Sequence, residues 1–250
     1  MVMVQGLKIN VSVKGDGKTP VILLHGWGQS MDSMQIIGDF LQRDFTVYNI
    51  DLPGFGLSDK PEFPFNTKDY ADILYDIIKH FGIMHPIIVG HSFGGKIAIK
   101  YASLYDGVNK LVLVDSSGIV KRKKAAYYIK VYTYKIVKRL FSLPGLKKYR
   151  SKVLNKFGSS DYKNAEGVMK NTLVKVVKED LRNDLPKIFC PVLLVWGRSD
   201  KVTPISSAYI MQKLLRDAGI VIIEGGGHFS YLDNTPLFLR VLDNFFQNDK

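Results

Sequence analysis

A serine in a glycine-rich turn is the first residue of this sequence that could perform chemistry. Ser92 lies in the run GHSFG, residues 90–94, after an apolar strand predicted over 87–89 and before a helix predicted to begin near Gly94. The glycines permit a sharp turn that lifts the hydroxyl above the strand ends and directs a helix N-terminus at it. A serine hydroxyl is a weak nucleophile and needs a base oriented by a carboxylate. Alone, the run also fits a glycine-rich turn without a catalytic role.

Candidates for the base and the carboxylate follow two later strands. Asp200 comes soon after a strand predicted over 192–196, and His228 follows a strand predicted over 220–223. In open α/β sheets, ligands bind at the carboxyl ends of the strands. The chain order serine, aspartate, histidine is an established order for this kind of catalysis. We therefore predict Ser92 as the nucleophile, Asp200 as the acid and His228 as the base.

Several other polar residues have alternative explanations. Asp115 follows the strand predicted over 111–114 and is an alternative acid. We expect His25 to brace the loop after its strand and the His91 ring to pack beside the site. His80 and His85 flank a connection between a helix and a strand, where a surface or structural role is expected.

The sequence implies neither a cofactor nor a metal. No group of His, Asp and Glu has the spacing of a metal site, and the glycine-rich stretches match neither a phosphate-binding loop nor a dinucleotide fingerprint. The single cysteine, Cys190, cannot form an intramolecular disulfide and is interpreted as a small buried hydrophobic residue.

Short apolar runs alternate with longer amphipathic segments, a pattern that predicts a mostly parallel sheet with crossover helices. The chain of 250 residues is 46% hydrophobic, which suits one large domain and excludes wholesale disorder. The predicted strands cover 21–24, 46–50, 87–89, 111–114, 192–196 and 220–223, with 7–13 as part of an antiparallel edge. The predicted helices cover 69–81 (with Thr67 or Asp69 as N-cap), 96–104, 205–217 and 236–246. The fold class is therefore α/β, with three layers.

Residues 118–190 interrupt this alternation. They contain no convincing strand, and amphipathic helices are predicted over 125–141 and 167–180, with loops at 144–145 and 158–161. The segment lies between two predicted strands, so we interpret it as an insertion and name it the cap segment. Residues 1–117 and 191–250 then form the core.

Two further motifs strengthen a resemblance to the α/β-hydrolase superfamily. The run HGWG at 25–28 resembles the family's oxyanion loop, and DLPGFGLS at 51–58 resembles a turn found after its next strand. The resemblance extends over nearly the whole chain and implies a three-layer fold with a helical cap. It also implies Ser92, Asp200 and His228 as the catalytic residues, with the backbone N–H groups of Trp27 and Phe93 as the oxyanion hole.

The resemblance implies a serine hydrolase that cleaves a carboxylic ester and uses no cofactor. A thioester, a lactone or a carbon–carbon bond is an alternative substrate for the same three residues, and cofactor-free haloperoxidase-like members share them as well. Related dehalogenases and epoxide hydrolases carry an aspartate where this chain has Ser92, which argues against both. A membrane-binding or partner-binding protein with vestigial catalysis is a further alternative, but all three catalytic residue types are present.

Positive charge is concentrated in the cap segment. It holds 19 basic and 5 acidic side chains, a net charge of +14 against +12 for the whole chain. Three interpretations remain open: a solvated surface, attraction of an anionic substrate, or docking on an anionic membrane surface. Nucleic-acid binding is not expected, because no recognition motif accompanies the charge. The cap's apolar and aromatic residues suggest a pocket for a hydrophobic acyl or alcohol group.

No apolar stretch is long enough to span a membrane, and the first residues lack the pattern of a secretory signal. A cytoplasmic location is the resulting expectation.

Overall fold

A computed structural model describes residues 1–120 and 160–250, which form a central sheet covered by helices on both faces. The strands in these residues are β1 Val2–Val4, β2 Leu7–Ile9, β3 Val11–Lys14, β4 Pro20–Leu24, β5 Thr46–Ile50, β6 Ile87–His91, β7 Lys110–Val114, β8 Val192–Gly197 and β9 Ala218–Ile223. The α-helices are α1 Gln35–Leu41, α2 Thr67–His80, α3 Phe93–Leu104, α4 Ser160–Asn164, α5 Gly167–Val176, α6 Ser206–Leu214, α7 Ser230–Asp233 and α8 Thr235–Phe245. Short 3₁₀ turns occur at Met31–Met34 and Leu185–Lys187.

The central sheet has seven strands in the order β3-β5-β4-β6-β7-β8-β9. All neighbouring pairs are parallel except β3 and β5, so the predicted mostly parallel sheet is confirmed. The expected antiparallel segment 7–13 is split in two. β2 pairs with β1 in a separate two-stranded sheet, and only β3 joins the edge of the main one.

Apolar side chains of the strands alternate between two buried layers. On β4, Ile22 and Leu24 pack with α2 and α3, whereas Val21 and Leu23 pack with α1 and α8. All four side chains are fully buried. Period-two alternation places successive side chains on opposite faces, and both faces are covered here. The predicted three-layer α/β class is thereby confirmed.

The turn around Ser92 is tighter than predicted. β6 extends to His91 instead of ending at residue 89. α3 begins at Phe93, one residue before the start predicted near Gly94 and three before the predicted range 96–104. A single residue, Ser92, therefore separates strand from helix. Gly94 and Gly95 fall within the first turn of α3, where their lack of a side chain made the helix start difficult to place from propensity.

Two other helix ends differ from expectation. α2 is capped by Asn66 and not by Thr67 or Asp69. The Asn66 side chain accepts from the Asp69 amide, and the Asp69 carboxylate accepts from the Asn66 amide. α5 ends at Val176 instead of Asp180.

Most of the cap's charge lies outside the described residues. The predicted helix 125–141, the loop at 144–145 and the basic run 121–124 all fall in 121–159, with 13 of the 19 basic side chains of the cap segment. Across residues 1–120 and 160–250, no helix is long and apolar enough to cross a bilayer.

Candidate active site

Ser92 occupies a strained position at the sharp turn between β6 and α3. Its φ of 51° lies in the left-handed region that side-chain-bearing residues avoid. The turn also needs close backbone contacts. A Cβ atom on Gly90 would lie 2.6 Å from backbone atoms of α3, and one on Gly94 would overlap the carbonyl oxygen of Leu24. The flanking glycines of the motif are therefore required by backbone packing.

The structure brings the three sequence-predicted side chains together. His228 Nε2 lies 3.0 Å from Ser92 Oγ, and His228 Nδ1 lies 2.8 Å from Asp200 Oδ2. The three residues follow β6, β8 and β9, whose carboxyl ends lie at one edge of the sheet. If Nδ1 carries the proton and donates to Asp200, Nε2 is free to accept the Ser92 hydroxyl proton.

Asp200 is held as an anion by its neighbours. Its Oδ1 accepts from the amides of Val202 and Thr203, and its Oδ2 lies 2.5 Å from Thr203 Oγ1. Burial raises the pKa of Asp200, but hydrogen bonds from His228 and Thr203 outweigh burial, so the net shift is downward. An ionised Asp200 can orient the His228 ring and stabilise a positive charge on it.

Asp115, the alternative acid, has a different set of partners. Its two carboxylate oxygens accept from the amides of Gly197, at 2.8 Å, and Ser230, at 3.0 Å. Gly197 precedes the loop of Asp200, and Ser230 follows His228. The geometry thus favours Asp200 as the partner of His228, and Asp115 instead ties together the two loops that carry Asp200 and His228. This role of Asp115 was not predicted, because no local sequence pattern signals it.

Burial perturbs Asp115 strongly. The residue is fully shielded from solvent, and this burial raises its pKa to about 6, although the amides of Ser230 and Gly197 lower it. Thr203 Oγ1, which lies 2.5 Å from Asp200 Oδ2, is also 2.9 Å from the carbonyl oxygen of Asp115, so its one proton can be donated to either oxygen.

His91 packs beside the site as expected, but it also makes a specific contact. Its Nε2 lies 2.8 Å from the carbonyl oxygen of His228 and can only donate to it. Burial lowers the pKa of His91 to about 3, so the ring is neutral at ordinary pH. The residue before the predicted nucleophile therefore holds the backbone of the predicted base.

His25 braces the loop that follows β4. Its Nδ1 donates to the Gly26 carbonyl at 2.7 Å, and its Nε2 accepts from the Leu52 amide at 3.0 Å. Burial lowers its pKa, which suits a neutral ring with one donor and one acceptor. Asp51 continues the bracing, because its carboxylate accepts from the amides of Met31 and Leu57. The motifs at 25–28 and 51–58 thus form one hydrogen-bonded unit.

The two residues predicted for the oxyanion hole lie next to Ser92. The rings of Trp27 and Phe93 are in edge contact, with centroids 5.3 Å apart, and both residues line the cavity that Ser92 faces. Phe93 is the first residue of α3, and the amide at this position of a helix has no acceptor within the helix. Its N–H is available to a ligand at the turn.

A cavity of about 360 Å³ opens beside Ser92, a volume typical of small-molecule sites. Its apolar wall in the described residues comes from both the core and the cap segment: Trp27, Phe93, Ile119, Leu173, Val176 and Val202. Two charged residues, Lys96 and Asp161, also line it. Within 1–120 and 160–250, no three His, Cys, Asp or Glu side chains are grouped as metal ligands.

The family of this protein follows from a match to a family model. A family model described as alpha/beta hydrolase fold matches residues 19–132 and 121–235, which together span most of the chain. The protein belongs to the α/β-hydrolase family, as the sequence motifs indicated.

Several curated relatives match almost the whole chain. The pimeloyl-[acyl-carrier protein] methyl ester esterase of Legionella pneumophila (strain Paris) is 27% identical, covering 96% of this chain and 100% of its own. The AB hydrolase superfamily protein YisY of Bacillus subtilis is 26% identical, covering 92% of both chains. The 2-(acetamidomethylene)succinate hydrolase of Mesorhizobium japonicum is 25% identical, covering 95% of this chain and 92% of its own. The names of these relatives support the conclusion that this protein is a hydrolase.

Solved structures share the fold. An esterase from Exiguobacterium antarcticum superposes with a TM-score of 0.76 at 22% identity, covering 98% of this chain and 97% of its own. A bacterial membrane phospholipase A superposes with a TM-score of 0.77 at 25% identity, covering 99% of this chain and 84% of its own.

Proposed function

We propose that this protein is a serine hydrolase that cleaves carboxylic esters through an acyl-enzyme intermediate. The observation that carries the proposal is the unbroken series of contacts from Ser92 Oγ to His228 Nε2 and from His228 Nδ1 to Asp200 Oδ2. Ser92 stands at the wall of a largely apolar cavity, where an ester can approach it. The relative named as a methyl ester esterase supports an ester as the substrate.

In the proposed first step, Ser92 Oγ attacks the carbonyl carbon while its proton passes to His228 Nε2. Asp200 stabilises the imidazolium through Nδ1. The carbonyl oxygen becomes an oxyanion, which the N–H groups of Trp27 and Phe93 stabilise, each by about 3 kcal/mol. The bond to the alcohol then breaks, and the alcohol leaves with the proton held by His228.

In the second step, water releases the acyl group. His228 takes a proton from the water as its oxygen attacks the acyl carbon, and a second oxyanion forms at the same N–H groups. The bond to Ser92 Oγ breaks, and the His228 proton returns to the hydroxyl. The carboxylic acid leaves and the enzyme is restored.

We also propose that residues 118–190 act as a cap that limits substrate choice. Leu173, Val176 and Val177 of this segment line the cavity together with Trp27 and Phe93 of the core. Such a wall suits a substrate with an apolar acyl or alcohol part. The same three catalytic residues could act on a thioester, a lactone or a carbon–carbon bond, so the bond cleaved is the part of the proposal to test first.

The test is hydrolysis of p-nitrophenyl esters with acyl chains of two to twelve carbons, by wild type and by Ser92→Ala. We expect turnover by wild type and a loss on the order of 10⁶-fold in kcat for the variant. The preferred acyl-chain length then indicates how long an acyl group the cavity accommodates. Well-folded wild type that turns over none of these esters would overturn the esterase proposal and move the search to thioesters, lactones and carbon–carbon substrates.

A further inference from the structure

Lys96 lies one helical turn beyond Ser92 on α3 and has no role in the steps above. The Lys96 amide donates to the Ser92 carbonyl oxygen across the first turn of α3, and both residues line the same cavity. Lys96 is only 3% exposed to solvent. A buried lysine is unusual, because removing a charge from water is costly unless it is paired.

The Lys96 ammonium is only partly satisfied by the protein. Its Nζ donates to the carbonyl oxygens of Val176, the last residue of α5, and of Glu179, the latter at 2.7 Å. An ammonium has three hydrogens, and the described residues supply only these two acceptors. The carboxylates that follow α5 are engaged elsewhere: Glu179 accepts from the Thr67 amide, and Asp180 from Val120 and Arg182.

The neighbouring lysine on the same helix shows the contrast. Lys100 is one turn further along, and its Nζ lies 2.8 Å from the Asp184 carboxylate. Among residues 1–120 and 160–250, no carboxylate lies within 4 Å of Lys96 Nζ, so Lys96 has no ion-pair partner there. Burial lowers the pKa of Lys96 to about 8, against the attraction of Glu179 and Asp180, which leaves most of the population charged at neutral pH.

We propose that the Lys96 ammonium is an anion-binding subsite of the active-site cavity, and that the substrate is an ester whose acyl chain carries a carboxylate. A carboxylate bound there would supply the third acceptor and the missing counter-charge together. The inference rests on the proposed esterase function and names the substrate class of that same site. The acyl group would then lie between Ser92 and Lys96, along one turn of α3, which suits a monoester of a short dicarboxylic acid.

The other charged residue of the cavity is Asp161 on α4. It is exposed, and it also lines a neighbouring cavity with Trp27 and Met169, so it lies at the rim. Burial raises the pKa of its carboxyl group. Attraction to His228 partly offsets this shift. Asp161 would oppose an anion at the entrance of the cavity.

The experiment compares monomethyl glutarate with methyl pentanoate, two methyl esters of matched chain length, by measuring methanol release. We expect wild type to favour the anionic ester in kcat/KM by at least about tenfold, because hydrogen bonds to charged groups are the stronger ones. Lys96→Met keeps the length of the side chain without its charge. We expect it to lower kcat/KM for the anionic ester at least about tenfold more than for the neutral ester.

Lys100→Met is the matched control, because it removes a lysine of the same helix that does not line the cavity. Lys100→Met should change kcat/KM for both esters by the same factor. If Lys96→Met lowers kcat/KM for both esters by the same factor, Lys96 only holds the end of α5 against α3. That result would overturn the proposal. If Lys96→Met does not fold, the wild-type preference alone decides, and no preference for the anionic ester overturns it.

Failure of the esterase proposal gives a different result. If wild type releases no methanol from either ester and no p-nitrophenol, calorimetric binding of monomethyl glutarate to wild type and to Lys96→Met still tests the subsite. Binding by wild type that weakens at least about tenfold in Lys96→Met supports it. Absence of binding overturns it.

Discussion

His228 Nδ1 lies 2.8 Å from Oδ2 of Asp200, whose side chain is completely shielded from solvent. The chain offers a second buried carboxylate at the same sheet edge, Asp115, yet both of its oxygens accept from backbone amides. The two aspartates therefore have separable tasks. Asp200 orients the imidazole, and Asp115 holds the loops on which Asp200 and His228 stand.

Replacing each carboxylate by its amide distinguishes these tasks. Asp200→Asn should lower kcat for ester hydrolysis by about 10⁴-fold, because the amide cannot both accept from His228 and stabilise its charge. The loss of kcat in Asp115→Asn should be at least about a hundredfold smaller, since Asp115 makes no hydrogen bond to His228. Steady-state kinetics on one p-nitrophenyl ester measures both. A larger loss in Asp115→Asn would identify Asp115 as the acid.

The raised pKa of Asp115 predicts a pH-dependent stability difference. A folded-state pKa of about 6, above the ordinary aspartate pKa of 3.8, means that the folded protein binds the proton more tightly than the unfolded chain. This contribution is full below pH 3.8 and is lost as the pH rises through 6. Relative to Asp115→Asn, wild type should therefore lose about 2 kcal/mol of unfolding free energy between pH 4.5 and pH 7.5.

Urea unfolding of both proteins at the two pH values measures that difference. Asp106→Asn is the control, because Asp106 is exposed and has no hydrogen-bond or ion-pair partner in the described residues. Its difference from wild type should not vary with pH in this way. The same pH trend for Asp106 and Asp115 would contradict the assignment to Asp115.

The contact between His91 and His228 predicts a stability effect with a conservative rescue. His91→Leu removes the donor to the His228 carbonyl and leaves that oxygen without its partner, at a cost of about 1–3 kcal/mol. His91→Gln retains a donor near the same place and should recover part of the loss. Urea unfolding gives the stabilities, and kcat shows whether His228 has moved. Equal stability of the two variants would exclude a role for this hydrogen bond.

The strained backbone at Ser92 predicts an inverted preference between glycine and alanine. With φ at 51°, Ser92→Ala keeps the Cβ strain and Ser92→Gly removes it, so the glycine variant should be more stable by about 1 kcal/mol. Ser103, in the last turn of α3, provides the control. There the alanine variant should be the more stable, because glycine is the poorer helix former. Thermal unfolding of the four variants tests the reversal, and the same order at both positions would contradict it.

The layered fold and the candidate catalytic residues were predictable from the sequence by local rules. Fully buried strands are apolar throughout, as 192–196 are, and helices repeat their apolar positions, as in α2. The GHSFG motif is equally local, since its glycines are required by close backbone contacts within one turn. Helix ends were less predictable, because the Asn66 cap and the early end of α5 depend on individual hydrogen bonds.

Only the tertiary structure decided which side chains meet. Ser92 and His228 are 136 positions apart, and their contact depends on the order of β6, β7, β8 and β9 in the sheet. Three contacts could not be predicted from the sequence: the bracing by Asp115, the hydrogen bond from His91 to the His228 carbonyl, and the hydrogen bonds from Lys96 to the carbonyls of Val176 and Glu179. Each is a contact between distant segments, and such contacts follow from how the sheet and its loops pack, whereas sequence periodicity reports only which face of an element is buried.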